Sequence, residues 1–301
     1  MENLSFENPT KAEEKPAETK ALPQVEDMPE AGEMKAEFTV RRNIIEVGMS
    51  RETADALAER CRKKYAATVD VLYEIAAEKH FEEVIITPLG DSFRVYPGNE
   101  SKKDTVFIPA EFLPRIENAL RAIPECAETG LRFLIGHERE HGKSFALESV
   151  SATAAKGTKD GVVKRYEIES QTNLQVAIGT HETGERLLRT IAEHIIAMDI
   201  FYFGVENLET RYDIDEYIRE NIRCLYNFLS PKAENEVAAY VEELRGEVLN
   251  KYDAYTREHM PEGANDPYLK LSRRKRLEDL NRQELKEGKL LTKELKKILK
   301  S

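Results

Sequence analysis

His137-Glu138-Arg139-Glu140-His141 combines residue types and a spacing suited to metal-assisted hydrolysis. On an α-helix, two histidines four residues apart lie on one face, so both imidazoles can ligate a single Zn²⁺. A glutamate next to the first histidine then stands where it can take a proton from water held at the metal. The spacing nominates His137 and His141 as metal ligands and Glu138 as general base. A complete site needs a third ligand from elsewhere in the chain.

Other chemistries lack their residues. There is no GxxxxGK[ST], no GxGxxG and no GxSxG, so phosphate-loop, dinucleotide and serine-hydrolase chemistry have no support. Glu138-x-x-His141 also fits one half of a di-iron carboxylate site, but no second Glu-x-x-His occurs. His181 and His194 read as structural residues unless folding brings them to the motif. Cys61, Cys126 and Cys224 are odd in number, far apart and without a CxxC pair, which predicts reduced core thiols and a cytoplasmic location.

The elements around the motif follow from pattern. Residues 1–37 hold ten acids and four lysines, with prolines at 9, 16, 23 and 29 and few large apolar residues; this composition predicts a disordered acidic head. An extended lead-in is expected over Phe38–Ile45. Ser50 reads as an N-cap, and Ala54, Leu57, Cys61, Tyr65, Val69 and Leu72 predict one amphipathic helix over 50–79. Val84–Thr87 and Phe93–Tyr96 read as strands joined in a hairpin by Pro88-Leu89-Gly90-Asp91, with a third strand at Thr105–Ile108 and a helix near 110–122. Residues 131–142 fit either the helix a metal motif needs or a strand. The β-propensity of Val162–Ile168 and Leu174–Ile178 predicts a hairpin or small meander over 144–180.

Beyond residue 182, apolar spacing predicts three helices. Leu188, Ile191, Ile195 and Met198 mark the first, and Ile214, Ile218, Ile222 and Leu225 the second. The third follows Ser230-Pro231, with Val237, Val241, Leu244, Val248 and Tyr252 on one face. The expected class is α+β: a mixed domain over 38–180 and a helical bundle over 182–258. Residues 259–301 form a linker and a basic amphipathic helical tail with a break at Gly288.

The motif and its apolar approach, Leu131-Arg132-Phe133-Leu134-Ile135-Gly136, resemble the active-site helix of zincin metallopeptidases. In the gluzincin branch a later glutamate in an ExxAD-like setting is the third ligand. Glu167-Ile168-Glu169-Ser170-Gln171 is similar to that setting, with Ser and Gln where Ala and Asp would stand. The resemblance implies zinc as cofactor and nominates Glu167 as third ligand, with Glu148 as another. The chain departs from the family at Arg139 and Glu140, where uncharged residues are usual. That charged pair predicts an exposed segment whose histidines do not converge with a third ligand.

Formal net charge is −11, yet residues 269–301 carry twelve bases against five acids. An acidic body repels nucleic acid, so any such contact falls to the tail, through Arg273, Arg274, Lys275, Arg276, Lys296 and Lys297. No apolar run is long enough to span a bilayer. The reading preferred from these residues is a non-catalytic binding or scaffold protein that engages a protein partner through its charged ends, with no cofactor. The alternative is a zinc-dependent metallopeptidase built on residues 137–141, and the third is a β-rich nucleic-acid-binding module. The tail is expected to be separable, its removal leaving the body folded.

Overall fold

The structure, a computed structural model, describes residues 49–90, 92–96, 103–154, 159–210, 219, 222–259 and 272–300; within them the side chains of 144–154, 159–165 and 210 are not described. The expected head, the lead-in over 38–45 and most of the helix expected over 214–225 lie outside these residues.

Ser50 caps helix α1 (Arg51–Glu78), its Oγ accepting the Thr53 N–H at 3.2 Å. The face expected from apolar spacing is buried, from Ala54 and Leu57 through Cys61, Tyr65 and Val69 to Leu72. Strands β1 (Glu83–Thr87), β2 (Arg94–Tyr96) and β3 (Thr105–Pro109) follow where alternation placed them. Their pairing differs from the expected hairpin. The order is β1-β3-β2, with Val106 of β3 opposite both Val84, in parallel, and Val95, antiparallel. The reason is burial: β3 is buried at all five positions and β2 at none, so β3 takes the centre and the arginine-bearing strand takes the edge.

A 3₁₀ turn at Ala110–Phe112 leads into α2 (Leu113–Ala122) and the long α3 (Pro124–Ala154). Then come α4 (Lys159–Gly179), α5 (Gly184–Phe203) and the short α6 (Glu206–Thr210). Finally come α7 (Pro231–His259) and α8 (Arg273–Ile298). Among the described residues the fold is α+β, mostly helical with one small sheet. Residues 131–142 are helical, and the meander expected over 144–180 is replaced by the end of α3 and by α4. Packing overrides local β-propensity here: Ser170, Asn173, Val176 and Ala177 are buried at helical, not alternating, spacing. Helices α5 and α7 match the first and third of the three expected after residue 182. Buried side chains on both sides of residue 180 join one core, among them Leu57, Ile86, Leu131, Ile196, Val241 and Leu277.

The tail is the largest correction to the sequence reading. Helix α8 runs unbroken through Gly288, which sits where the helix crosses the 3₁₀ turn; a Cβ there would lie 2.5 Å from the Glu111 carbonyl oxygen. Glycine serves close approach, not a break. Leu277, Leu280, Leu291 and Leu295 are buried in the common core. Beside them lies a buried polar network centred on Arg115. Its guanidinium donates to the Phe201 and Tyr202 carbonyls at 3.1 and 2.7 Å and to Asn281 Oδ1 at 3.0 Å. Glu284 lies 3.9 Å from it and accepts from Asn118 Nδ2 at 2.8 Å.

Burial pushes the Glu284 carboxyl up to about 7, against the opposing pull of Asn118 and Arg115. A folded-state value above the unfolded one, about 4.3, means that the folded chain holds this proton more tightly. Its contribution to stability is therefore full below about pH 4.3 and is lost as pH rises through about 7. Glu284→Gln removes that titration. The expected result is that wild type loses up to about 3 kcal/mol relative to the variant between about pH 4.5 and 8. Denaturant melts at the two pH values measure it, and parallel pH profiles would contradict it.

Candidate metal centre

Helix α3 presents His137 and His141 one turn apart, and α4, packed beside it, supplies Glu169. His137 Nε2 and His141 Nε2 are 2.8 Å apart, and Glu169 Oε2 lies 3.0 Å from the first and 3.3 Å from the second. These atoms form a compact triangle of potential ligand atoms from two imidazoles and a carboxylate. Four ligands around zinc at about 2.0–2.1 Å stand about 3.3 Å from one another, so the triangle is close to one face of such a tetrahedron. All three side chains are partly buried. Burial alone would raise the Glu169 carboxyl. Hydrogen bonds from both imidazoles, and their charge, more than offset that and hold it far below the usual carboxylate range.

Several groups behind the triangle hold it in place. Asn173, one turn after Glu169 on α4, donates through Nδ2 to the Leu225 carbonyl at 2.8 Å. That bond orients its amide so that Oδ1 faces His137 Nδ1, also at 2.8 Å. Nδ1 therefore carries a proton, which leaves Nε2, on the side of His141 and Glu169, as the nitrogen that would ligate a metal. Ser170 Oγ donates to Asn227 Oδ1 at 2.5 Å and accepts the Asn227 N–H at 3.0 Å, pinning the same helix to the same segment. Below the motif, Phe133 stacks on His194 at 4.1 Å between ring centroids, and His194 Nδ1 bonds the Tyr226 hydroxyl. Burial, then the neighbouring His137, pushes His194 down to about 3, so it stays neutral at physiological pH. Replacing Asn173 by Ala is expected to weaken zinc binding about 10- to 100-fold while leaving the melting temperature of the metal-free protein within a few degrees. Competition with a chromogenic chelator measures this, and unchanged affinity would contradict it.

The charged pair inside the motif does not force it into solvent. Arg139 pairs with Asp104 at the start of β3 and lies over the Phe81 ring, 5.4 Å from its centroid. Glu140 is bonded by Lys143 at 2.6 Å. Both are partly buried and charge-compensated, which overturns the expectation of an exposed, non-convergent segment. Glu138 is also partly buried, adjacent to His137.

The acid that meets the imidazoles is Glu169, not Glu167. Two helical residues turn the chain about 200°, so Glu167 points away from α3 and is exposed. The side chain of Glu148 lies outside the described residues. The β-propensity of this segment hides Glu169 and Asn173 in the sequence. The usable signal was their spacing of four, which puts a carboxylate and an amide on one helix face.

The basic residues singled out in the tail are largely engaged within the chain. Arg276 is buried against Asp253, and Arg273 bonds Glu209 at 2.8 Å. Arg274 bonds Glu278 at 3.0 Å and Lys275 bonds Asp279 at 3.3 Å. Lys296 and Lys297 are exposed. Cys61 and Cys126 are buried, free thiols pushed up to about 12 by burial, unsuited to nucleophilic or ligand roles. Among the described residues no helix is long and apolar enough to cross a membrane. No protein-family model matches the chain, and comparison with curated proteins and with solved structures finds no match.

Proposed function

We propose that the protein is a zinc-dependent hydrolase acting on peptide bonds, with His137, His141 and Glu169 as ligands and Glu138 as general base. The observation that carries it is the convergence of two imidazole nitrogens and a carboxylate oxygen within 3.3 Å. Two nitrogens and one oxygen are three protein ligands of the kind catalytic zinc takes, its fourth ligand being water. Zinc held there would supply Lewis acidity toward a carbonyl and lower the pKa of bound water.

The chain's own residues do the rest. Asn173 fixes the His137 tautomer, and Glu169 supplies an ionised ligand. The Glu138 carboxylate takes a proton from the attacking water and returns it to the leaving amine nitrogen. A peptide bond is the substrate implied by the resemblance of residues 131–141 to the zincin helix, and among the described residues β2, an edge strand, lies beside the motif. A Cβ on Gly142, the residue after His141, would lie 3.0 Å from Val95 Cγ2 in β2.

The test is turnover of a mixed fluorogenic peptide library by zinc-loaded protein. Wild type is expected to cleave, and Glu138→Gln to retain zinc yet lose at least about 100-fold in rate. No cleavage by the zinc-loaded wild type, or full activity in the variant, would reject the reading.

A binding role through the charged ends is the second reading, favoured by the exposed cationic side of α8. The β-rich fold behind the third reading does not extend to residues 159–179, which are helical.

A further inference from the structure

The outward side of α8 is a cationic stripe. Arg282, Lys286, Lys289, Lys293, Lys296, Lys297 and Lys300 are all exposed. At about 100° per residue they fall within an arc of about 100°, opposite the buried leucines. Two leucines edge the stripe, Leu285 at 41% and Leu290 at 53% exposure, and with four of the cations they line a shallow groove. The acids that share this part of the helix lie off the stripe: Glu284 is buried, Glu287 is bonded by Lys64 at 2.6 Å, and Glu294, itself exposed, is bonded by Arg60 at 2.8 Å. Among the described residues, Arg282 is paired with Glu278 and Asp279, and the six lysines of the stripe have no acidic partner. A stripe of one sign on a chain of net charge −11 calls for an acidic occupant.

The chain carries such an occupant. Val25-Glu26-Asp27-Met28-Pro29-Glu30-Ala31-Gly32-Glu33-Met34 has four acids, no base and three apolar side chains large enough to cover the leucines. The geometry brings the start of the described chain close to the stripe. Arg60 of α1 meets Glu294 of α8, while Lys64 and Tyr65, further along α1, meet Glu287, so the two helices run antiparallel. The N-terminal end of α1 therefore lies toward the C-terminal end of α8, and the chain before Met49 joins the fold beside the end of the stripe. From Arg282 to Lys300 the stripe spans about 27 Å, and ten extended residues span about 33 Å. The residues between Met34 and Met49 are enough to lead back along it.

We propose that residues 25–34 of this same chain dock on the cationic face of α8, acids against Lys286, Lys289 and Lys293, with Met28 and Met34 against Leu285 and Leu290. The stripe is thereby occupied within the molecule, and other polyanions meet it only by displacing this segment.

Zero-length carbodiimide cross-linking of the full chain, followed by peptide mass spectrometry, tests this. At low ionic strength, links from Glu26, Asp27, Glu30 and Glu33 to Lys286, Lys289 and Lys293 should exceed links to the exposed Lys232 at least about tenfold. They should fall severalfold at about 1 M salt, where screening acts within about 3 Å. A mixture of isotope-labelled and unlabelled protein should give these links within one chain. The variant Lys286→Glu/Lys289→Glu/Lys293→Glu, altered only at exposed positions, should release the segment, seen as shifted amide resonances for residues 25–34. Links no more frequent than to Lys232, links mainly between chains, or unchanged resonances would overturn the proposal. So would tight binding of the intact chain, through the same lysines, to phosphatidylserine vesicles or duplex DNA at physiological salt.

Discussion

A chain ending before Ser272 is expected to lose its cooperative fold. Four leucines of α8, Leu277, Leu280, Leu291 and Leu295, are buried in the common core. Each contributes about 1.5–3 kcal/mol by leaving water, so together they supply about 6–12 kcal/mol. That is comparable to the whole stability of an ordinary domain, about 5–15 kcal/mol. Truncation also leaves Arg115 without Asn281 and Glu284, and exposes the apolar surface the leucines covered. Circular dichroism should show a broad or absent thermal transition for residues 1–271. A sharp transition within a few degrees of full length would mean that α8 is an appendage after all.

That expectation is the reverse of what the tail's composition suggests, and the reason is physical. Twelve bases in residues 269–301 describe an exposed helix, and one side of α8 fits that description. Composition does not say where the leucine stripe goes, and the stripe faces a groove built by α1, the 3₁₀ turn and α7. Where one element's own periodicity settled the matter, as in α1 from Ser50 and α7 from Pro231, the pattern was legible. It failed where partners decide. Pro88–Asp91 looks like a hairpin turn, yet β3, buried at every position, displaces β2 from β1. Val162–Ile168 is rich in β-formers but lies in a helix, because the residues after it bury one helical face against α3.

The candidate centre was legible by half for the same reason. His137 and His141 are local to one helix, so spacing alone paired them. Glu169 comes from a second helix, and only knowing that 159–179 is helical separates it from Glu167. Asn173 is further out of reach, since its role depends on the Leu225 carbonyl fixing its amide.

Metal analysis of the purified full chain after dialysis against zinc shows whether His137, His141 and Glu169 bind one zinc ion. Wild type should retain one equivalent, and its melting temperature should rise with free zinc, as mass action on a folded-state site requires. His141→Ala and Glu169→Gln should each lose at least about 100-fold in affinity, about 2.7 kcal/mol, and lose the thermal shift, while Glu167→Gln behaves as wild type. Well under one equivalent in a folded wild type, or equal losses for the two glutamate variants, would contradict the account.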